Sequence, residues 1–576
     1  MKIKLLILII LILAFTFFIR IYKLTSNPEG FDQTEAAFGY NAYSLLKTSR
    51  DEYGKFLPLV LTSIGDYKLS IFSYWEIPFI TLFGLNEFSV RFSVVVASMI
   101  SLILIYFIID EILKKHKIAL LSLFFVGISP WHIIMSRMAY DPMVAFMWFL
   151  FSIFLFIKWY RENRYYLLIL SVIALAFAIS TYYSVWLLFP FTIALYWLLI
   201  YRKRLNIKQL VYLTVILLIP VLIFVKLFLT TRGQRLYQDS TFQVDAFPLL
   251  AEQIREDQHE FPIYITRLFH NKLAFYPLFI IQNLFKNLSI DFLFLTGDKI
   301  DRRFYVPYNG VLYLWTMPFF LLGLFYFWKN QPARKNLFIL GPIVIIFLGS
   351  AFSAFGSETE RTLFSVPIFC FLISHGLLII YDKVRKTHLN SIILGLSGIL
   401  LIYNITYFNH QYFWHGNVHQ PWGRNFGVSE MINTVSALKG KYGKVVVPDN
   451  TYIYFYFYNK TDPKIAWAES ENINQKANFL QHRLRSKIGD YLAMPVECPA
   501  AGRLHVLYVC QGTKIPPNSR IIKIIRYRDE QPAFTMLEFS NSITQTTPPK
   551  NLNFMGKYGL IDDSENSYWK EELEIY

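Results

Sequence analysis

Eleven apolar runs, most of them close to the roughly twenty residues that cross a bilayer, dominate this chain. They fall at about 4–23, 89–113, 118–135, 142–159, 165–181, 184–201, 209–229, 310–328, 336–355, 362–381 and 391–408. Composition agrees: 54% of residues are hydrophobic and 17% charged, where a soluble chain carries about 25% charge. The expected fold class is mainly α, a polytopic helical membrane protein with a small soluble α/β domain at its C-terminal end. Met1-Lys2-Ile3-Lys4 precedes the first run, and Arg20, Tyr22 and Lys23 follow it instead of a small-x-small cleavage site. That reads as an uncleaved first helix starting in the cytoplasm.

The formal charge of +16 is distributed by topology. Eighteen Lys and Arg residues fall in the segments assigned inside: Lys2 and Lys4; Lys114, Lys115 and Lys117; Lys158, Arg161 and Arg164; Arg202, Lys203, Arg204 and Lys208; Lys329, Arg334 and Lys335; Lys383, Arg385 and Lys386. The short loops assigned outside hold only Arg137 and Arg361. One orientation therefore satisfies the positive-inside rule throughout, with the N-terminus cytoplasmic and the C-terminal part external in a cell membrane. Clusters spaced in this way argue against nucleic acid as a partner.

Two more apolar stretches, Ile71–Leu85 and Leu273–Leu295, carry internal polar residues. A span at either one alone would invert every later loop, so both read as helices at the outer interface. A membrane domain then covers 1–408, with outer loops at 24–88 and 230–309, and an outer soluble α/β domain covers 409–576. In that tail Val428–Leu438 reads as a helix, and Lys444–Val447, Tyr452–Tyr458, Leu504–Val509 and Arg520–Ile525 read as strands. Cys498 and Cys510 are expected close together, as an oxidising compartment permits. The cytoplasmic loops hold no Gly-Lys-Ser phosphate loop.

The polar residues that a bland membrane protein does not need sit at the outer boundary. Asp32 and Glu35 follow the first span at the spacing of an N-cap and its capping-box partner; the functional reading is a carboxylate that accepts a proton from an attacking hydroxyl. Lys68 either snorkels to the headgroups or binds a lipid phosphate. Arg137 and Asp141 are spaced to pair on a helix end, yet an ionisable residue at a membrane boundary is often functional. Glu358-Thr359-Glu360-Arg361 lies between two later spans. A transporter keeps such groups near mid-bilayer; here they gather at one surface.

With these motifs the chain resembles the protein-mannosyltransferase-like membrane glycosyltransferases, the group with the C-type glycosyltransferase fold that includes the lipid A aminoarabinose transferases. The resemblance covers about residues 1–380. It rests on the acidic segment continuing through Gly39-Tyr40-Asn41-Ala42-Tyr43-Ser44-Leu45-Leu46, Asp51-Glu52-Tyr53-Gly54, Asp66-Tyr67-Lys68, Phe83-Gly84 with Val90-Arg91, and Ser129-Pro130-Trp131-His132 through Ser136-Arg137. It implies an inverting transferase. Its donor is a polyprenyl-phosphate-linked sugar, and its acceptor hydroxyl belongs to a protein, lipid or glycan. By the same resemblance the first-loop catalytic acid is Asp32 or Glu35, the second is Asp141, and Lys68 and Arg361 bind the donor phosphate, with Arg137 a further donor-binding candidate. No cofactor is assigned, and a divalent metal ion is left open. One departure stands out: the family usually shows an adjacent Asp-Glu pair, and the residue before Glu35 is Thr34. The rival classes are a lipid-sugar flippase or transporter and a receptor without transferase activity.

Overall fold

The computed structural model describes residues 2–540 apart from 204, 232, 234–236, 238–239, 258–259, 300–302, 355–357, 386–389, 420, 472–486 and 512–514. Arg204 and Lys386 of the basic pattern lie outside the described residues. The chain is a multi-pass helical membrane protein bearing one small sheet domain. Backbone amides in hydrocarbon must pair within their own segment, so the apolar runs form helices. The first ten are α1 (Lys2–Ile21), α2 (Gln33–Thr48), α3 (Ile71–Phe83), α4 (Glu87–Leu113), α5 (His116–Ile128), α6 (Pro130–Met135), α7 (Asp141–Glu162), α8 (Tyr165–Ile179), α9 (Val185–Arg202) and α10 (Ile207–Thr231).

Among the described residues seven helical segments are long and apolar enough to cross a membrane, and four shorter apolar helices accompany them. Large apolar side chains such as Leu6, Leu11, Leu222 and Leu229 face outward; such helices need lipid as their solvent. The expected run 118–135 is broken at Ser129, because Pro130 cannot continue a helix that needs its N–H and instead opens α6. The expected run 310–328 becomes helical only at Leu314, with a 3-10 turn at Leu314–Thr316 leading into the α-helix Met317–Asn330. That helix meets Val366–Val384 at two glycines. A Cβ added at Gly323 would lie 1.9 Å from the Leu372 carbonyl oxygen, and one at Gly376 would lie 1.9 Å from that of Phe319. Small residues allow this close backbone approach.

The stretch Ile263–Leu295 has the length and apolarity of a span. It is divided into Ile263–Phe269, Lys272–Leu288 and a wide turn at Asp291–Leu295. One side of the middle helix buries Asn283 and Asn287. The Asn283 amide donates to the Ser353 carbonyl at 2.9 Å, and the Ser350 hydroxyl donates to Asn287 Oδ1 at 3.1 Å. Its surface placement rests on the basic-residue pattern.

Two sheets lie at the same end of the bundle. A hairpin pairs β1 (Val60–Ser63) with β2 (Asp66–Leu69) through Ile64-Gly65, both at positive φ, as a tight two-residue turn requires. The C-terminal sheet has the order β4-β5-β3-β6-β8-β7. Its strands are β3 (Lys444–Pro448), β4 (Lys487–Ile488), β5 (Tyr491–Met494), β6 (Val506–Cys510), β7 (Ser519–Arg526) and β8 (Pro532–Phe539). The central β3 is parallel to β5 and β6, and the other pairings are antiparallel. The expected helix Val428–Leu438 is present. Cys498 and Cys510 form a disulfide with Cα atoms 4.9 Å apart.

One expectation is corrected. Tyr452–Tyr458 is a helix, not a strand. Its seven residues are all apolar or aromatic, so neither helical nor alternating periodicity is visible in them. The helix is buried nearly all round because it is wedged between the sheet domain and α2. There Phe457 presses on Gly39, where an added Cβ would come within 2.8 Å of the ring.

Candidate active site

The polar residues singled out in the sequence separate into struts and cavity lining. Glu35 is a strut. It is fully buried, and its two oxygens accept from Arg91 Nε at 2.9 Å, Arg91 Nη2 at 3.0 Å, the Ala139 amide at 2.8 Å and the Asp32 amide at 3.1 Å. Arg91 also donates to the carbonyls of Leu24, Pro28 and Gly30, so a single ion pair holds the first loop against α4. Asp32 is the N-cap of α2; its Oδ1 accepts the Thr34 amide at 2.7 Å, and Glu35 completes the capping box.

Arg137 is also a strut. It is buried, Nη1 donates to the carbonyls of Ile19 and Arg20 at 2.6 and 2.7 Å, and Nη2 donates to those of Tyr22 and Asn27, both at 2.7 Å. These include end-of-helix carbonyls of α1 that have no partner within the helix. A cation at a helix C-terminus is favourable as well. Its guanidinium nitrogens Nη1 and Nη2 are committed to the protein's own backbone rather than to a phosphate.

Lys68, Asp141 and Arg361 line one cavity of about 90 Å³ at the end of the bundle that carries the sheets. Its wall also includes Thr34, Phe38, Tyr140, Tyr182, Arg303 and Glu360. Each cation arrives by a different route. The β1–β2 hairpin presents Lys68, whose ammonium lies 5.2 Å from the centre of the Phe38 ring and 3.7 Å from Asp66. Buried Glu52 anchors that hairpin: it accepts from the Ser63 hydroxyl at 2.8 Å, the Asn41 amide at 3.0 Å and the Tyr452 hydroxyl at 3.1 Å. Arg361 pairs with Glu358. Its short helix is fixed by the Trp131 indole, which donates to the Thr359 carbonyl at 2.8 Å, and by Asp298, which accepts the Thr359 amide at 2.8 Å. Asp141 opens α7 directly after Tyr140.

Two phenols complete the wall. Burial first, and the Asp32 carboxylate second, push the Tyr140 hydroxyl well above its ordinary pKa. Burial and then Glu360 do the same for Tyr182. Both therefore remain protonated hydrogen-bond donors at neutral pH.

Arg303, Tyr140 and Tyr182 line the cavity without having been singled out in the sequence, and Glu360 was marked there only as part of the segment 358–361. Arg303 donates to the Tyr140 hydroxyl at 3.4 Å, with its guanidinium carbon 5.2 Å from the centre of that ring. It lies in a loop with no periodic pattern, and nothing local marks it. Asp32 and Glu35 are not part of the lining; Thr34, between them, is. Among the described residues no group of three or more His, Cys, Asp or Glu is placed to hold a metal ion.

Residues 10–233 match the family of the dolichyl-phosphate-mannose-protein mannosyltransferases. The resemblance to the protein-mannosyltransferase-like membrane glycosyltransferases is borne out over that segment, which includes Thr34, Lys68 and Asp141 but neither Arg303 nor Arg361. No curated relative matches the chain in sequence. Among solved structures, the chain is similar to the Archaeoglobus fulgidus oligosaccharyltransferase tethered with an acceptor peptide, at 11% identity over 80% of this chain and 63% of that one, TM-score 0.47. It is also similar to ArnT from Cupriavidus metallidurans bound to undecaprenyl phosphate, at 12% identity over 84% of this chain and 85% of that one, TM-score 0.44. The chain thus spans less than two thirds of the length of the archaeal enzyme.

Proposed function

We propose that this protein is a membrane glycosyltransferase. It moves a sugar from a polyprenyl-phosphate-linked donor to an acceptor hydroxyl, with inversion, on the external face. The observation that carries this reading is the convergence of Lys68, Arg303 and Arg361 with Asp141 and Glu360 on one cavity. Three cations from separate segments suit a phosphate leaving group, whose negative charge grows as the glycosidic bond breaks. A carboxylate in the same cavity suits removal of the acceptor's proton. The family match over residues 10–233 supports the same donor class. A cavity at the bundle end is where a lipid anchored by its tail presents its headgroup.

The direct test is release of polyprenyl phosphate from a labelled polyprenyl-phosphate sugar by the purified protein supplied with membrane acceptors. Wild type is expected to release it, and its failure with every sugar tried would leave the reading unsupported. Lys68→Gln is expected to weaken undecaprenyl phosphate binding about 10- to 100-fold, the worth of one charge-assisted contact. Unchanged affinity would remove Lys68 from the phosphate site.

Orientation follows from the basic residues. A reporter fused after Gly423 is expected to behave as external, and one after Gln331 as cytoplasmic. The reverse labelling at both sites would turn the cavity toward the cytoplasm and refute the topology.

A further inference from the structure

Arg303 is held in place from outside the helical bundle. Arg424 lies between the last long helix, Asn390–His410, and the sheet domain. It is 7% exposed. Its Nε donates to the Arg303 carbonyl at 3.0 Å, and its Nη2 donates to the Tyr305 carbonyl at 3.3 Å. The same residue closes on the first loop, since a Cβ at Gly30 would lie 2.2 Å from the Arg424 carbonyl oxygen. Gly30, at φ +84, permits that contact. The loop gripped by Arg424 then delivers the Arg303 side chain over the rings of Tyr140 and Phe304 to the cavity wall.

We propose that Arg424 is a positioning residue for the donor phosphate. Its planar fork fixes residues 303–305 so that the Arg303 guanidinium stays at the cavity, and the donor affinity of the membrane part depends on the segment leading into the outer domain. This rests on the reading of the cavity as a polyprenyl phosphate site. Simple packing does not account for the choice of residue. Burying a guanidinium is costly unless its donors are used, and two donors spaced for two carbonyls specify an orientation that an apolar side chain cannot.

The experiment measures undecaprenyl phosphate binding to the full chain in detergent micelles. It compares wild type, R303Q, R424Q, R424K, the double variants R303Q/R424Q and R303Q/R424K, and K439Q. The last breaks the exposed Lys439–Asp490 pair of the outer domain and the contact of Lys439 with the Tyr491 ring, and it is expected to bind as wild type. R303Q is expected to bind about 10-fold more weakly, for one lost charge-assisted contact. R424Q is expected to lose about 3- to 10-fold; R424K is expected to lose less, since its ammonium still donates to a carbonyl, yet not to match wild type, since it cannot reproduce the fork. In the R303Q background the Arg424 substitutions are expected to cost less than about 2-fold, because a residue acting through Arg303 has nothing left to position. Losses that multiply in the double variant would show that Arg424 merely supports the fold, and unchanged affinity in R424Q would show that it does nothing for the phosphate; either overturns the proposal. Should R424Q fail to fold, R424K with its double variant decides the same question. Wild type that does not bind undecaprenyl phosphate would refute the function and this inference together, whereas wild-type binding with additive losses refutes the inference alone.

Discussion

Asp141→Asn is expected to lower the rate of sugar transfer about 10²- to 10⁴-fold, the usual contribution of a positioned general base. Binding of polyprenyl phosphate is expected to stay within about 3-fold of wild type, since no phosphate contact is removed. Where the resemblance leads one to expect a carboxylate, just before Glu35, the cavity wall carries Thr34. A threonine at its ordinary pKa cannot take a proton from an alcohol. The carboxylates that do line the cavity are Asp141 and Glu360. Asp141 stands at the first turn of a helix fixed in the bundle, whereas Glu360 sits next to Arg361 on a four-residue helix. Asp141 is therefore the better-held candidate for the proposed base. Turnover by Asp141→Asn close to wild type, with a collapse in Glu360→Gln, would move that role to Glu360.

Glu35→Gln is expected to act on the fold instead. Removing one partner of a fully buried ion pair leaves an uncompensated charge and costs about 3–5 kcal/mol. Here the abandoned charge is Arg91, which is fully buried and also holds three loop carbonyls. Thermal unfolding in detergent should show a marked loss of stability in Glu35→Gln and in Arg91→Gln alike. Asp32→Asn should be mild, because asparagine caps a helix about as well as aspartate does. If Glu35→Gln unfolds like wild type yet transfers no sugar, Glu35 is a participant in the chemistry and the assignment of Glu35 as a strut is wrong.

The sequence made the membrane part legible because lipid imposes a simple rule: an apolar run of sufficient length must be a helix. Lys68, Asp141 and Arg361 were legible for a related reason, as polar groups placed where hydrocarbon ends. Sorting them was another matter. The strut role of Arg137 depends on five carbonyls more than one hundred residues earlier in the chain. The pairing of Glu35 with Arg91 spans 56 residues. Neither is encoded in local spacing. Arg303 had no signal at all, because it reaches the cavity by tertiary contacts alone. Tyr452–Tyr458 was misread because a segment buried on every side loses the periodicity that separates a strand from a helix.

The tyrosine-rich helix at 452–458 also sets an order of events in biosynthesis. Tyr452 meets Glu52 across 400 residues of sequence, and Phe457 covers Gly39 of α2. At about 5–20 residues per second, α2 emerges roughly 20–80 s before its cover has been made. Throughout that interval the face of α2 destined for the tyrosines has no partner from its own chain. A segment made late in synthesis thus closes over one made early.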